Sequence, residues 1–208
     1  VSPPVILKLS VHDATPDGPN VVDVVGRVAI KYRTGDNITG LAVHPQTGQL
    51  LVLHSTGSVR HIDQLVVVSP TNASIIAKPR KIQSTPLGLR CDQCEDLNFD
   101  SSGRLFVTDD YDDDLYEIDP ATGEILAVID GDESGGLHGS SSPKIEALAW
   151  SDRLEHFVAF DDNSNQFLAL TPGPGNNATL GRIAGLTDVE GLDFLASRLT
   201  SVAAMLER

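Results

Sequence analysis

The chain has 208 residues and a net charge of −14, with 40% hydrophobic and 21% charged residues. That is room for one medium domain with a sizeable core, and a surface this acidic repels nucleic acid and anionic membranes while favouring cations and basic partners. No run approaches the roughly 18 consecutive apolar residues of a membrane span, and no basic stretch leading into an apolar one opens the chain as a signal peptide would; the VSPP start fits a mature terminus after processing.

From the N-terminus, VILKLSV (Val5–Val11) and VVDVVGRVAIKY (Val21–Tyr32) flank the turn-rich HDATPDGPN. They read as a pair of strands. Next, ITGLAV (Ile38–Val43) opens a pattern that returns as CEDLNF (Cys94–Phe99), IEALAW (Ile145–Trp150) and VEGLDF (Val189–Phe194). The anchoring leucines are Leu41, Leu97, Leu148 and Leu192, at spacings of 56, 51 and 44 residues. Two positions after each stands an apolar residue: Val43, Phe99, Trp150 and Phe194. Period-2 alternation predicts β-strands. Each stretch leads through a turn to a second apolar run: QLLVLHS, RLFVTDD, EHFVAFDD and RLTSVAAM. A polar loop and a third run follow, LYEID or FLALT, then a turn such as PATGE or PGPGNN and a fourth run, ILAVI or TLGRI. Four antiparallel strands in about 50 residues is the size of a propeller blade. No long amphipathic helix is predicted.

The expected fold is therefore all-β: a single-domain β-propeller of four blades, each of four antiparallel strands. The fourth repeat stops after two strands, and the N-terminal pair supplies the missing two. The expected blades are 38–93, 94–144, 145–188, and 189–208 joined with 1–37. Such closure removes exposed sheet edges. The alternative is a piece of a larger propeller that closes with other sequence. The stretch EDLNFDSSGRLFVTDDYDDDLYEIDPATGEI, from Glu95 to Ile125, resembles blades of the broad NHL, gluconolactonase-like and SdiA-regulated propeller group. The likeness covers residues 38–194 as a repeat pattern. It implies the fold, and leaves lactone hydrolases, binding scaffolds and extracellular structural domains all open.

Chemistry-bearing residues recur with the repeat. Glu95, Glu146 and Glu190 hold one position, with Thr39 in the first unit. Each Glu lies two residues before its leucine and is expected on that leucine's face. At the mouth of a central channel three carboxylates would repel, and a cation would relieve them. Calcium is the cofactor such oxygen ligands suit. The alternative is that each Glu ties blades together by accepting backbone N–H bonds. A second acidic set lies between strands: Asp109 and Asp110 align with Asp161 and Asp162, and Asp112, Asp113 and Asp114 follow. These fail the EF-hand spacing, so a solvated turn is expected first and a surface calcium site second.

Cys91 and Cys94 have no partner pair or ligand-spaced histidines for zinc. A local disulfide is expected, with a free or intermolecular pair as the alternative. Asn37, Asn72 and Asn177 open three N-glycosylation sequons, where chance predicts about one. With the cysteines they point to an extracellular or cell-surface location. No GxSxG elbow occurs. His12, His44, His54, His61, His138 and His156 are scattered over the repeats and are expected at the surface. Gly131–Lys144 reads as a mobile connection that covers one channel end, without the spacing of a phosphate loop. The expected function is an extracellular binding or structural module without catalysis. Its partners would be proteins or glycans, with self-association into larger assemblies. The alternative is a calcium-dependent, lactonase-like or esterase-like hydrolase.

Overall fold

Strand follows strand, and no helix occurs among the described residues. The computed structural model describes residues 5–10, 21–27, 37–55, 61–110, 114–129, 144–171, 178–181, 192–194 and 202–204. The first hairpin pairs β1 (Val5–Ser10) with β2 (Val21–Arg27), antiparallel. Three four-stranded antiparallel sheets then come in chain order. Blade 1 is β3 (Asn37–Val43), β4 (Leu50–Ser55), β5 (Gln64–Val68) and β6 (Arg80–Lys81). A small extra hairpin that the repeat did not announce follows, β7 (Gln83–Ser84) and β8 (Leu89–Arg90). Blade 2 is β9 (Cys94–Phe99), β10 (Leu105–Asp109), β11 (Asp114–Ile118) and β12 (Ile125–Val128). Blade 3 is β13 (Ile145–Ser151), β14 (His156–Asp161), β15 (Gln166–Leu170) and β16 (Ala178–Gly181). The last hairpin pairs β17 (Leu192–Phe194) with β18 (Val202–Ala204).

The first strands of successive blades lie side by side, β3 against β9, β9 against β13, and β13 against β17. Later strands of each sheet run outward. This is the radial plan of a β-propeller. The β1–β2 and β17–β18 pairs are strands as expected, but each forms a two-stranded sheet of its own. Among the described residues no ladder joins them.

Alternation assigns each blade face to a neighbour. Leu51, Leu53 and Leu65 of blade 1 pack with Leu97, Phe99, Leu105 and Val107 of blade 2 in one apolar cluster. On the other face of blade 2, Phe106 and Leu115 pack with Leu148, Phe157, Ala159 and Leu168 of blade 3. The Phe106 and Phe157 rings meet edge-on at 4.9 Å, and Trp150 meets Phe157 at the same distance, a favoured aromatic geometry. The anchoring leucines thus point at the preceding blade. Leu97 and Leu148 are fully buried there, whereas Leu41 is 45% exposed and Val43 54%. Leu41 was expected to anchor its blade as the others do. No described sheet covers it, because the blade that would precede β3 in the ring is not among the complete ones.

Candidate functional site

One irregularity recurs at the start of each inner strand. The β3–β4 register slips between Ile38 and Gly40, the β9–β10 register between Val107 and Asp109, and the β13–β14 register between Ile145 and Ala147. An extra residue is accommodated each time, which is a β-bulge. The bulged residues are Thr39, Glu95 and Glu146. Period-2 counting therefore fails across them. Ile145 and Leu148, three apart, share one cluster, and Cys94 and Leu97 share another. The expectation that each Glu shares its leucine's face is corrected by this extra residue.

Asp96, Asn98 and Thr39 make blade-to-blade ties. Asp96, next to Glu95, is 4% exposed. Its Oδ1 accepts from the Leu97 N–H at 2.8 Å, and its Oδ2 accepts from the Leu148 N–H of blade 3 at 2.7 Å. Asn98 Nδ2 donates to the Leu148 carbonyl at 3.1 Å. Between blades 1 and 2, Thr39 Oγ1 donates to the Cys94 carbonyl at 3.0 Å. Gly40 makes room for this junction. A Cβ there would lie 2.5 Å from Leu97 Cδ2 and 2.8 Å from Asp96 Oδ1.

Glu95 and Glu146 are half-buried, and Glu190 lies outside the described residues. Beside Glu146 sits a cation that the repeat pattern did not single out: the Lys144 ammonium pairs with Glu146 Oε1. Burial works against the lysine's charge, yet Glu146, with Asp110 and Glu95 nearby, holds its pKa above the usual 10.5. The local repulsion is thus relieved by an ammonium group. Among the described residues, no three of His, Cys, Asp and Glu converge to hold a metal.

Asp109 and Asp161 end β10 and β14 and are 2% and 6% exposed. Asp161 Oδ1 accepts from the Lys144 and Asn163 N–H groups, both at 3.1 Å, while its Oδ2 takes the Ser164 hydroxyl. Asp110 and Asp162 are half-buried, and their N–H groups reach the Gln93 and Lys144 carbonyls at 2.9 Å. These acids organise the loop between second and third strands and bind it to the entry of the first. Asp114 starts β11; Asp112 and Asp113 lie outside the described residues.

Cys91 and Cys94 form the local disulfide, both fully buried, with Cα atoms 5.7 Å apart. Asp63 fastens the loop: its N–H donates to the Cys91 carbonyl at 2.9 Å, and its Oδ2 accepts from the Cys94 N–H at 2.8 Å. Asn37 and Asn72 are exposed, as a glycan acceptor must be; Asn177 lies outside the described residues. His54 is 5% exposed, against the surface placement expected from its scatter. It stands in β4, one residue before the strand's end, at the place of Asp109 in β10, and that position is buried in every described blade. His44 is half-buried, its ring 4.8 Å from that of Phe99. His12, His138 and residues 131–143 lie outside the described residues.

Between the first turns of blades 2 and 3 a cleft of about 570 Å³ opens. Trp150, Asp152 and Glu155 form one wall, and Asp100, Ser102 and Arg104 the other. Asp100, 3% exposed, is bound from all sides within its own turn. Its Oδ1 accepts from Ser102 N–H, Ser102 Oγ and Arg104 N–H at 3.0, 2.7 and 2.9 Å, and its Oδ2 takes Arg104 Nε at 2.7 Å. Burial raises the pKa, but the Ser102 and Arg104 hydrogen bonds and the guanidinium charge outweigh it and hold the group below 3.8. Arg104 is also backed by the Phe106 ring, 5.3 Å from its guanidinium carbon.

Structural comparison places the chain among propellers. It is similar to the Cps50 (Swd1) β-propeller domain of Myceliophteria thermophila, with 17% identity and a TM-score of 0.50 over 98% of this chain and 60% of that one. It is similar to a catalytically inactive virginiamycin B lyase from Staphylococcus aureus solved with quinupristin, with 9% identity and a TM-score of 0.51 over 83% of this chain and 49% of that one. The hydrazine synthase of Kuenenia stuttgartiensis matches at 19% identity and a TM-score of 0.50 over 80% and 43%. The chain thus spans between about two fifths and three fifths of the length of these structures. No protein-family model matches the sequence, and no curated protein does. At these identities the likeness establishes the fold, an all-β propeller.

Proposed function

We propose that this propeller is a non-catalytic extracellular binding or structural module whose partners are proteins. Lys144 carries the reading. A lactonase-like hydrolase needs a metal with an open coordination position at the channel mouth, and here an ammonium group occupies the carboxylate that such a metal would use. Calcium enters the proposal only as a stabiliser that competes with Lys144 for Glu95, Glu146 and Glu190. The resemblance of Glu95–Ile125 to NHL, gluconolactonase-like and SdiA-regulated blades fits a scaffold that presents loops on a rigid ring. The buried disulfide and the exposed sequon residues Asn37 and Asn72 support an extracellular or cell-surface location. Self-association into a larger assembly belongs to the same proposal.

The test sets turnover against binding. A panel of lactones and esters is offered to the protein with calcium and with chelator. The expected result is no turnover in either condition. Calcium-dependent turnover that disappears in Glu146→Gln overturns the reading in favour of the hydrolase. Mass spectrometry of native material is expected to find sugars on Asn37 and Asn72; bare asparagines there remove the extracellular assignment.

A further inference from the structure

The seam between blades 1 and 2 and the seam between blades 2 and 3 are built on equivalent turns, and only the first is filled. In the first seam the His44 ring covers Phe99 at 4.8 Å. The Gln46 amide lies against Gly103, its Oε1 2.6 Å from where a Cβ would stand, and its Nε2 donates to the Ser102 carbonyl at 2.9 Å. A planar, N–H-bearing side chain of the chain itself thus sits in the seam beside an aromatic ring. In the second seam Trp150 replaces Phe99, Asp100 replaces His44 and turns back into its own loop, and the short Ser102 replaces Gln46. The space stays open as the 570 Å³ cleft. Phe99 is 4% exposed; Trp150 is half-buried and faces the cleft.

The groups around the opening are anionic. Asp100 and Arg104 neutralise each other. Asp152 Oδ1 accepts the Trp150 indole N–H at 2.9 Å, which fixes the ring. Asp152 and Glu155 are exposed, and neither has a cationic partner among the described residues. Arg153, in the same turn, does not line the cleft. Glu155 also stands against local preference. The equivalent positions in blades 1 and 2 are Gly48 and Gly103, with φ of 67° and 90°, and Glu155 adopts φ of 55°. A side chain there is disfavoured relative to glycine, and its carboxylate hangs at the cleft rim.

We propose that the cleft between blades 2 and 3 binds an arginine side chain presented by a protein partner. This rests on the binding-module reading and names its site and ligand chemistry. The guanidinium stacks on Trp150, as cations do on indole faces, and donates to Asp152 and Glu155 in charge-assisted hydrogen bonds. It takes the place that Gln46 and His44 fill in the neighbouring seam. The charge of −14 draws such a basic loop in.

Trp150 is the sole tryptophan, so its fluorescence reports on this cleft directly. The full chain is titrated with a short arginine-containing peptide, the same peptide with neutral citrulline in place of arginine, and a set of neutral oligosaccharides. Saturable, salt-sensitive change with the arginine peptide alone is expected. Glu155→Gly should weaken binding roughly ten- to a hundredfold, the weight of one charge-assisted hydrogen bond. The same variant should melt no lower than the parent, since glycine suits the turn. Asp152→Asn should weaken binding while keeping an acceptor for the indole. Equal response to citrulline, or a response only to oligosaccharide, overturns the proposal. So does arginine-peptide binding that Glu155→Gly and Asp152→Asn leave unchanged, and in that case the module still binds, but elsewhere. Turnover in the lactone panel would instead remove the binding-module reading itself.

Discussion

Gly40 and Asp96 hold the same place in consecutive repeats, and they close their seams by opposite means. At Gly40 the seam closes because a side chain is missing: blade 1 approaches blade 2 so nearly that a Cβ would sit 3.0 Å from the Leu97 nitrogen. At Asp96 the seam closes because a side chain is present, and its carboxylate reaches the Leu148 N–H of the next blade. The two are also one device, since the space at Gly40 is where Asp96 Oδ1 lies. A repeat protein need not repeat its ties. The backbone geometry recurs, and each seam finds its own way to satisfy it.

Removing the carboxylate should break this comparison most severely. Asp96→Ala strips the acceptor from two backbone N–H groups, Leu97 and Leu148. Buried donors left unpaired cost about 1–3 kcal/mol each, so a loss of about 2–6 kcal/mol is expected in urea melts. Asp96→Asn keeps one acceptor oxygen and should lose less. Gly40→Ala should cost about 1–3 kcal/mol by overpacking. The double variant should lose less than the sum, because the carboxylate that crowds the new methyl is gone. Additive losses would show that the two positions act separately.

Leu97 and Leu41 sharpen the comparison next. Leu97 is fully buried between blades, and Leu41 is 45% exposed. Leu97→Ala is expected to cost about 2–5 kcal/mol, and Leu41→Ala less than about 0.5 kcal/mol. Equal losses would mean that a further sheet covers β3 in solution. That result would favour the closed ring, in which head and tail of the chain meet there.

The propeller was legible because its evidence is redundant: leucine, an apolar residue two further on, and a glycine or aspartate turn, returning at Leu41, Leu97, Leu148 and Leu192. The disulfide was legible because the two cysteines lie three residues apart with no second pair or ligand-spaced histidines for zinc. The tie that Asp96 makes was not legible: Glu95 and Glu146 recur from blade to blade, whereas the equivalents of Asp96 are Gly40 and Ala147. The available signal was a second acid beside Glu95 in a strand anchored by Cys94, Leu97 and Phe99. The bulge hid too, since one extra residue leaves no mark in composition. Lys144 escaped because it ends a Gly/Ser-rich connection that reads as spacer. The Trp150 cleft needed the seams side by side before its emptiness meant anything.

The smallest expected effect concerns the turns rather than the axis. Asp100 is charged in a pocket of donors that its counterpart His44 lacks, and its pKa is held below 3.8. As pH falls, the unfolded chain takes up this proton before the folded one. The stabilisation is therefore complete above the ordinary value and is lost as pH falls through the folded pKa. Asp100→Asn cannot titrate, so its stability should fall less steeply on the acid side, from a lower plateau. Arg104→Gln removes one source of the depression and should move the acid loss to higher pH. The Arg104 side chain is 45% exposed, so salt screens its charge and the shift should be small. The Ser102 hydroxyl and the Arg104 backbone N–H should carry most of what remains. An acid limb identical in the parent and in Asp100→Asn would place the pH sensitivity elsewhere.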